Sequence, residues 1–192
     1  LEKRNLPKIA LSDYKNPFCF PLEKYYQRLG FNFKKESYLV PSLEFIKLYD
    51  KNKYRAELYP GAVELLANLK QKSIKNYLLS AQNHGSLLEL ISYYGIGNLF
   101  EKIQGTNNLH ARGKPLLASS LLQSENINQK TVLFIGDTNM DLEIAFKNKA
   151  PALGLTFGHQ SEGRFSQTNK VTLMRSFREL NFYLSVKFLE NL

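Results

Sequence analysis

Cysteine is almost missing from this chain of 192 residues, with Cys19 its single example. That excludes an internal disulfide framework and any zinc site built from several cysteines, and it fits a reducing compartment. No run of about 18 apolar residues is available to cross a membrane. The opening stretch, residues 1–10 (LEKRNLPKIA), lacks the charged-then-apolar order of a signal peptide. A cytoplasmic address is therefore the default expectation. Blocks of like charge are also missing. The 26 Lys and Arg residues outnumber 17 Asp and Glu but are scattered, so the formal charge of +9 favours an anionic partner without indicating nucleic acid. A small phosphorylated molecule explains the same balance, as does plain solubility. There is no internal repeat and no low-complexity segment. Aspartate is scarce, confined to Asp13, Asp50, Asp137 and Asp141, and the first residue is Leu1 rather than methionine.

What is present supports a core: 43% of residues are hydrophobic, and the length suits one domain with a small appended one. Residues 1–57 hold no clean buried strand, only amphipathic pieces broken by Pro7, Pro17, Pro21 and Pro41. Residues 21–30 (PLEKYYQRLG) place Leu22, Tyr25, Tyr26 and Leu29 at helical spacing and stop at Gly30, a C-terminal cap. Residues 41–52 (PSLEFIKLYDKN) repeat the pattern with Leu43, Ile46 and Leu48 or Tyr49. These pieces predict a small helical unit over residues 1–57.

From Pro60 the texture alternates. Helices are expected over residues 61–72, 85–95, 114–126 and 141–149, with an amphipathic one over 176–192. Strands are expected at 75–80 (KNYLLS, buried and ending at Ser80), 131–136 (TVLFIG, the strongest), 150–157 (APALGLTF) and, more briefly, 100–105 (FEKIQG). Residues 158–168 read as a polar loop. Such alternation predicts an α/β unit over 58–192, a Rossmann-like parallel sheet with helices on both faces.

In such a sheet, functional groups gather where strands end. Asp137 follows Gly136 at a strand exit, and Asp141 falls in the first turn of the next helix, so both carboxylates can face one crevice. Oxygen ligands of this kind suit Mg²⁺, which takes one or two carboxylates with waters and substrate phosphate oxygens. The same residues also serve as helix starters and complement a helix dipole. Ser80 could hold a phosphate oxygen beside the backbone N–H groups of Ser80, Ala81, Gln82 and Asn83, or cap a helix starting near His84 or Gly85. Lys114 could offset charge on a transferring phosphoryl group, or be a solvated lysine before Pro115.

In this order the pieces resemble the haloacid dehalogenase-like hydrolase superfamily, in its phosphoglycolate-phosphatase-like branch with a helical cap. The matching stretches are residues 58–70 (LYPGAVELLANLK), 76–83 (NYLLSAQN), 113–122 (GKPLLASSLL) and 132–158 (VLFIGDTNMDLEIAFKNKAPALGLTFG). The resemblance implies that Ser80 hydrogen-bonds a phosphoryl group and that Lys114 stabilises the nucleophile and the phosphoryl charge. It implies that Asp137 binds Mg²⁺, with Asp141 supporting the metal directly or through water, and that residues 1–57 form the cap. The expected substrate is a small phosphorylated metabolite, and neither nucleic acid nor membrane is an expected partner.

One part of the family's pattern is absent. Its nucleophile is an aspartate in an Asp-x-Asp-x-Thr motif ending a central first strand, and no aspartate here lies two residues from another. Asp13 and Asp50 do not follow apolar strands and read as turn or helix-end residues. Without that strand its neighbours would expose backbone edges, at about 1–3 kcal/mol for each buried unsatisfied group. The expectation is a fragment, inactive alone, whose full-length parent hydrolyses phosphate esters through a phospho-aspartyl intermediate. The alternatives are a catalytically silent binding relative and a phosphoglucomutase-like phosphotransferase. Among weaker candidates, Lys24 and Arg28 could face a substrate anion, His84 could contact substrate, and His110 with Arg112 could extend an electropositive rim. His159 has no metal-ligand partner at useful spacing and is expected to be structural.

Overall fold

The computed structural model describes residues 1–10, 12–107, 113–165 and 171–188. The N-terminal part is helical, with α1 at Leu22–Arg28 and α2 at Leu39–Asn52. Helix α2 starts ahead of Pro41, which the sequence pattern had placed first. A proline in the first turn is tolerated because its missing N–H would have no intrahelical partner there. Gly30 has φ 96 and closes α1 as expected. The packing of this region is aromatic: Tyr26 stacks against Phe31 and packs on Tyr38, while buried Phe18 packs on Tyr25. Arg4 ties the N-terminus to it, pairing with Glu36 at 2.5 and 2.8 Å and with Glu44 at 2.8 Å, over the Phe31 ring.

The remainder alternates as predicted: α3 (Ala62–Gln71), β1 (Tyr77–Asn83), α4 (His84–Tyr93), β2 (Lys102–Thr106), α5 (Lys114–Ser124), β3 (Phe134–Gly136), α6 (Asn139–Lys147) and β4 (Ala152–Leu155). Then come α7 (Glu162–Phe165), β5 (Thr172–Met174) and α8 (Phe177–Tyr183), which passes into a π-helical turn at Leu184–Phe188. Every strand pairing is parallel. The fold is α/β, with parallel strands and covering helices.

Among the described residues the strands form two sheets rather than one, β1-β2 and β3-β4-β5. Each has its own core. Leu87, Ile91 and Ile96 of one region pack with Leu78 and Ile103, while Leu65, Leu153, Leu155, Met174, Leu180 and Leu184 form the other. Among the described residues β1 pairs only with β2, and β3 only with β4, so each has one edge that no described strand covers. That explains two departures from expectation. β1 is half-buried and runs past Ser80 to Asn83, with an irregularity after Leu79. β3 shrinks to three residues, and Ile135 is 38% exposed. Each sheet has its own covering helix: α5 packs on β1 and β2, α6 on β3 and β4. The segment predicted as a polar loop contains α7 and the buried Phe165 and Gln160, because it turns inward against the β3-β4-β5 core. No helix among the described residues is long and apolar enough to cross a membrane.

Burial raises the phenol pKa of Tyr14, Tyr25, Tyr26 and Tyr49, that of Tyr26 to about 12. In the unfolded chain these groups ionise near pH 10. The unfolded state therefore loses protons first, so the stabilisation is complete below pH about 10 and is lost as pH rises through the folded-state values. In an alkaline titration, part of the tyrosinate absorbance should appear only together with loss of circular dichroism from the helices. Ionisation of all tyrosines near pH 10 with the fold intact would contradict this.

Candidate functional site

Strand β3 ends on Gly136 because Asp141 folds back over it. A Cβ at Gly136 would run into the Asp141 side chain. Thr138 is the N-cap of α6, and Asp141 closes a capping box: its Oδ2 accepts from the Thr138 N–H at 3.0 Å and from the Thr138 hydroxyl at 2.7 Å. Its Oδ1 accepts from Lys114 Nζ at 2.5 Å, with side-chain exposures of 16% for Lys114 and 8% for Asp141. Of the two readings of Asp141, the helix start is the one seen here, and the same carboxylate also grips the first residue of α5. Lys114 is no solvated lysine. Removing one member of a buried pair of this kind costs about 3–5 kcal/mol, because the other is left as an uncompensated charge.

Asp137 lies one residue before the cap and is half-buried. Its Oδ2 accepts from the His159 N–H at 2.7 Å, while Oδ1 has no hydrogen bond among the described residues. Gly158 lets the Asp137 side chain lie against the backbone, since a Cβ there would strike the carboxylate. On the other side stands Tyr14, whose phenol is raised by burial first, then by Tyr59 and by the Asp137 charge. The Tyr14 hydroxyl meets His159 Nδ1 at 3.3 Å.

Ser80 lies within β1, and its Oγ accepts from the Gln82 N–H at 3.1 Å. It is not the helix cap. Asn83 is, its Oδ1 accepting from the Ser86 N–H at 3.2 Å. The Ala81 carbonyl accepts from the Thr106 hydroxyl at 2.9 Å, and Gln82 Nε2 donates to Ser86 Oγ at 3.3 Å. No hydrogen bond or ion pair among the described residues joins Ser80 to Lys114, Asp137 or Asp141. The link is indirect, through α5, which starts at Lys114 and packs on β1.

Other candidates lie elsewhere. His84 Nδ1 accepts from the Gly105 N–H at 3.1 Å and so ties the first residue of α4 to β2. Lys24 is exposed on α1, and Arg28 is exposed and donates to the Pro17 carbonyl at 3.0 Å. Neither bonds to the site residues. His110 and Arg112 lie outside the described residues. Asp13 is exposed in a turn, and Asp50 is exposed on α2 with Lys53 at 3.5 Å. The sequence reading missed Thr138, Gly158 and Gln160. Thr138 was findable, because Thr-x-x-Asp before an apolar helix is a capping-box signal.

No group of three or more His, Cys, Asp or Glu among the described residues could hold a metal. Asp137, whose Oδ1 has no hydrogen bond among the described residues, fits a Mg²⁺ site that completes its octahedron with waters and substrate oxygens, whereas both oxygens of Asp141 are already engaged by Thr138 and Lys114.

The chain matches the model of the haloacid dehalogenase-like hydrolase family over residues 1–154. It is 26% identical over 102 residues to a phosphoglycolate phosphatase of Synechococcus elongatus, covering 53% of this chain and 47% of that one. Identity to a phosphoglycolate phosphatase of Cereibacter sphaeroides is 29% over 106 residues, covering 55% and 46% of the respective chains. The chain thus spans about half the length of the curated relatives it matches. Among solved structures, a haloacid dehalogenase-like family hydrolase of Streptococcus pneumoniae superposes with a TM-score of 0.77 at 19% identity, over 95% of this chain and 85% of that one. At that identity the likeness establishes the fold.

Gly158→Ala should lower stability by about 1–3 kcal/mol, because the added methyl must displace Asp137. Gly163→Ala, where an added Cβ meets nothing within 4 Å, is the control. Urea unfolding midpoints compare them, and a Gly158→Ala protein as stable as the wild type would refute the packing described.

Proposed function

We propose, given that the chain belongs to the haloacid dehalogenase-like hydrolase family, that it carries the Mg²⁺ and phosphate groups of a phosphatase acting on a small phosphorylated metabolite. The observation that carries this reading is the buried Lys114–Asp141 pair at 2.5 Å, set beside Asp137 at the exit of a parallel strand. The relatives named phosphoglycolate phosphatase point to a substrate of a few carbons. The single free cysteine is buried and suits a cytoplasmic setting.

In this reading Asp137 is the direct Mg²⁺ ligand, through the oxygen that His159 leaves free. Asp141 fixes Lys114 and the start of α6 and meets the metal directly or through water. Bound Mg²⁺ supplies Lewis-acid stabilisation of phosphoryl oxygens. Lys114 adds a positive charge on the same side, and Ser80 turns its hydroxyl from the Gln82 amide to a phosphoryl oxygen. Residues 1–57 act as a cap over the α/β unit of 58–192, entering the site through Tyr14.

The attacking carboxylate is the part the 192 residues do not provide, since Asp13 lies exposed in a turn and Asp50 exposed on α2, and neither ends a strand. We assign it to a parallel strand between the free edges of β1 and β3, so that hydrolysis passes through a phospho-aspartyl intermediate. A second reading, a silent phosphate-binding relative, is favoured by the same missing nucleophile.

Calorimetric titration of the 192-residue chain should show Mg²⁺ binding, and inorganic phosphate binding that strengthens with Mg²⁺. Asp137→Asn should weaken Mg²⁺ by about tenfold or more. The chain alone should release no phosphate from 2-phosphoglycolate, whereas protein that includes a nucleophile strand should. Undiminished Mg²⁺ binding by the Asp137→Asn protein overturns the metal assignment. Failure of the strand-containing protein to turn over favours the silent relative.

A further inference from the structure

The stretch from Phe157 to Gln160, between β4 and α7, touches the N-terminal segment and the site at once. Gln160 is 2% exposed and one of the largest fully buried side chains, at a position where an apolar residue would fill the space without needing partners. Both ends of its amide are used. Oε1 accepts from the Asn139 N–H at 2.7 Å, and Nε2 donates to the Phe18 carbonyl at 3.0 Å. Asn139 is the first residue of α6, whose N–H has no partner within the helix. Phe18 belongs to the segment leading into α1. Gln160 therefore spans the site helix and the N-terminal segment.

Its neighbour does the same by other means. The His159 N–H holds Asp137 Oδ2 at 2.7 Å, while its ring stacks on Phe18 at 4.9 Å and its Nδ1 meets the Tyr14 hydroxyl. Two adjacent residues thus each fix part of the site with one group and part of the segment over residues 14–18 with another. If that segment lifts, the Gln160 amide loses its acceptor in a buried place, and a half-satisfied buried group favours moving over staying.

We propose that Gln160 is a positioning residue that couples the seating of residues 14–18 to the placement of Asp137 and the first turn of α6. Its importance for chemistry rests on the function proposed above. The coupling itself does not. In that setting the segment over the site cannot open without loosening the helix start that carries Thr138 and Asp141, so access and site geometry change together.

The test is hydrogen exchange of the ligand-free, full 192-residue chain, followed in peptides covering residues 14–20 and 137–142. Gln160→Glu keeps the size and the acceptor for Asn139 but, when ionised, cannot donate to Phe18. Burial raises a carboxyl pKa, so lowering the pH protonates it and returns the donor. The expected result is a loss of protection of about tenfold at high pH in both peptides, since lifting residues 14–18 also loosens the start of α6. That protection should recover as the pH falls, by more than any change in the wild type followed over the same pH range. Gln160→Met, similar in length and without hydrogen bonds, should lose protection in both peptides at every pH. Should that variant not fold, the Gln160→Glu profile decides alone. A Gln160→Met protein protected like the wild type, loosening confined to one peptide, or a Gln160→Glu loss that does not respond to pH would each overturn the proposal. No Mg²⁺ or phosphate is present, so failure here is distinct from failure of the titration that tests the function.

Discussion

The carboxylate of Asp141 carries more of this structure than any other single group. One oxygen caps α6 through Thr138, and the other holds Lys114 at the head of α5. Because α5 packs on the β1-β2 sheet and α6 on the β3-β4-β5 sheet, this ion pair ties the two halves together at their strand exits. A second tie, Ser119 Oγ to Asn148 Oδ1 at 3.3 Å, lies on the outer side of the same helices and is exposed. A buried ion pair is an expensive way to join two elements, and an apolar contact of equal volume would serve stability as well or better. Its presence near the strand exits accords with the ligand site proposed above.

Around that pair the geometry follows from close approach. Gly136 and Gly158 let the Asp141 and Asp137 side chains lie against backbone, and the His159 amide uses one oxygen of Asp137 and leaves the other free. The result is one carboxylate with its charge offset by a lysine and a second with an open oxygen. That asymmetry suits a site where one group is fixed and the other takes a ligand.

Much of this was legible in the sequence, for identifiable reasons. Helices α3, α4, α5 and α6 announced themselves through apolar spacing and glycine stops, which depend on neighbours three or four residues away. The placement of Asp137 and Lys114 followed from the rule that groups gather at strand exits. What could not be read depended on distant partners. The lengths of β1 and β3 are set by which edges find a neighbour, β5 by a single pairing with β4, and the inward turn of Gln160 by the Phe18 carbonyl 142 residues away. Lys24 and Arg28 were plausible by charge alone, and α1 simply presents them to solvent.

Family membership fixes the fold, and the charges at the strand exits suit the metal and phosphate proposed above. The most direct measurement is a crystal structure of this chain soaked with Mn²⁺, a scattering substitute for Mg²⁺, with the ion located by its anomalous signal. The account predicts one strong peak within bonding distance of the Asp137 oxygen that His159 leaves free, on the side of Lys114 and Asp141. An ion bound elsewhere, with that oxygen occupied by protein groups, would contradict it.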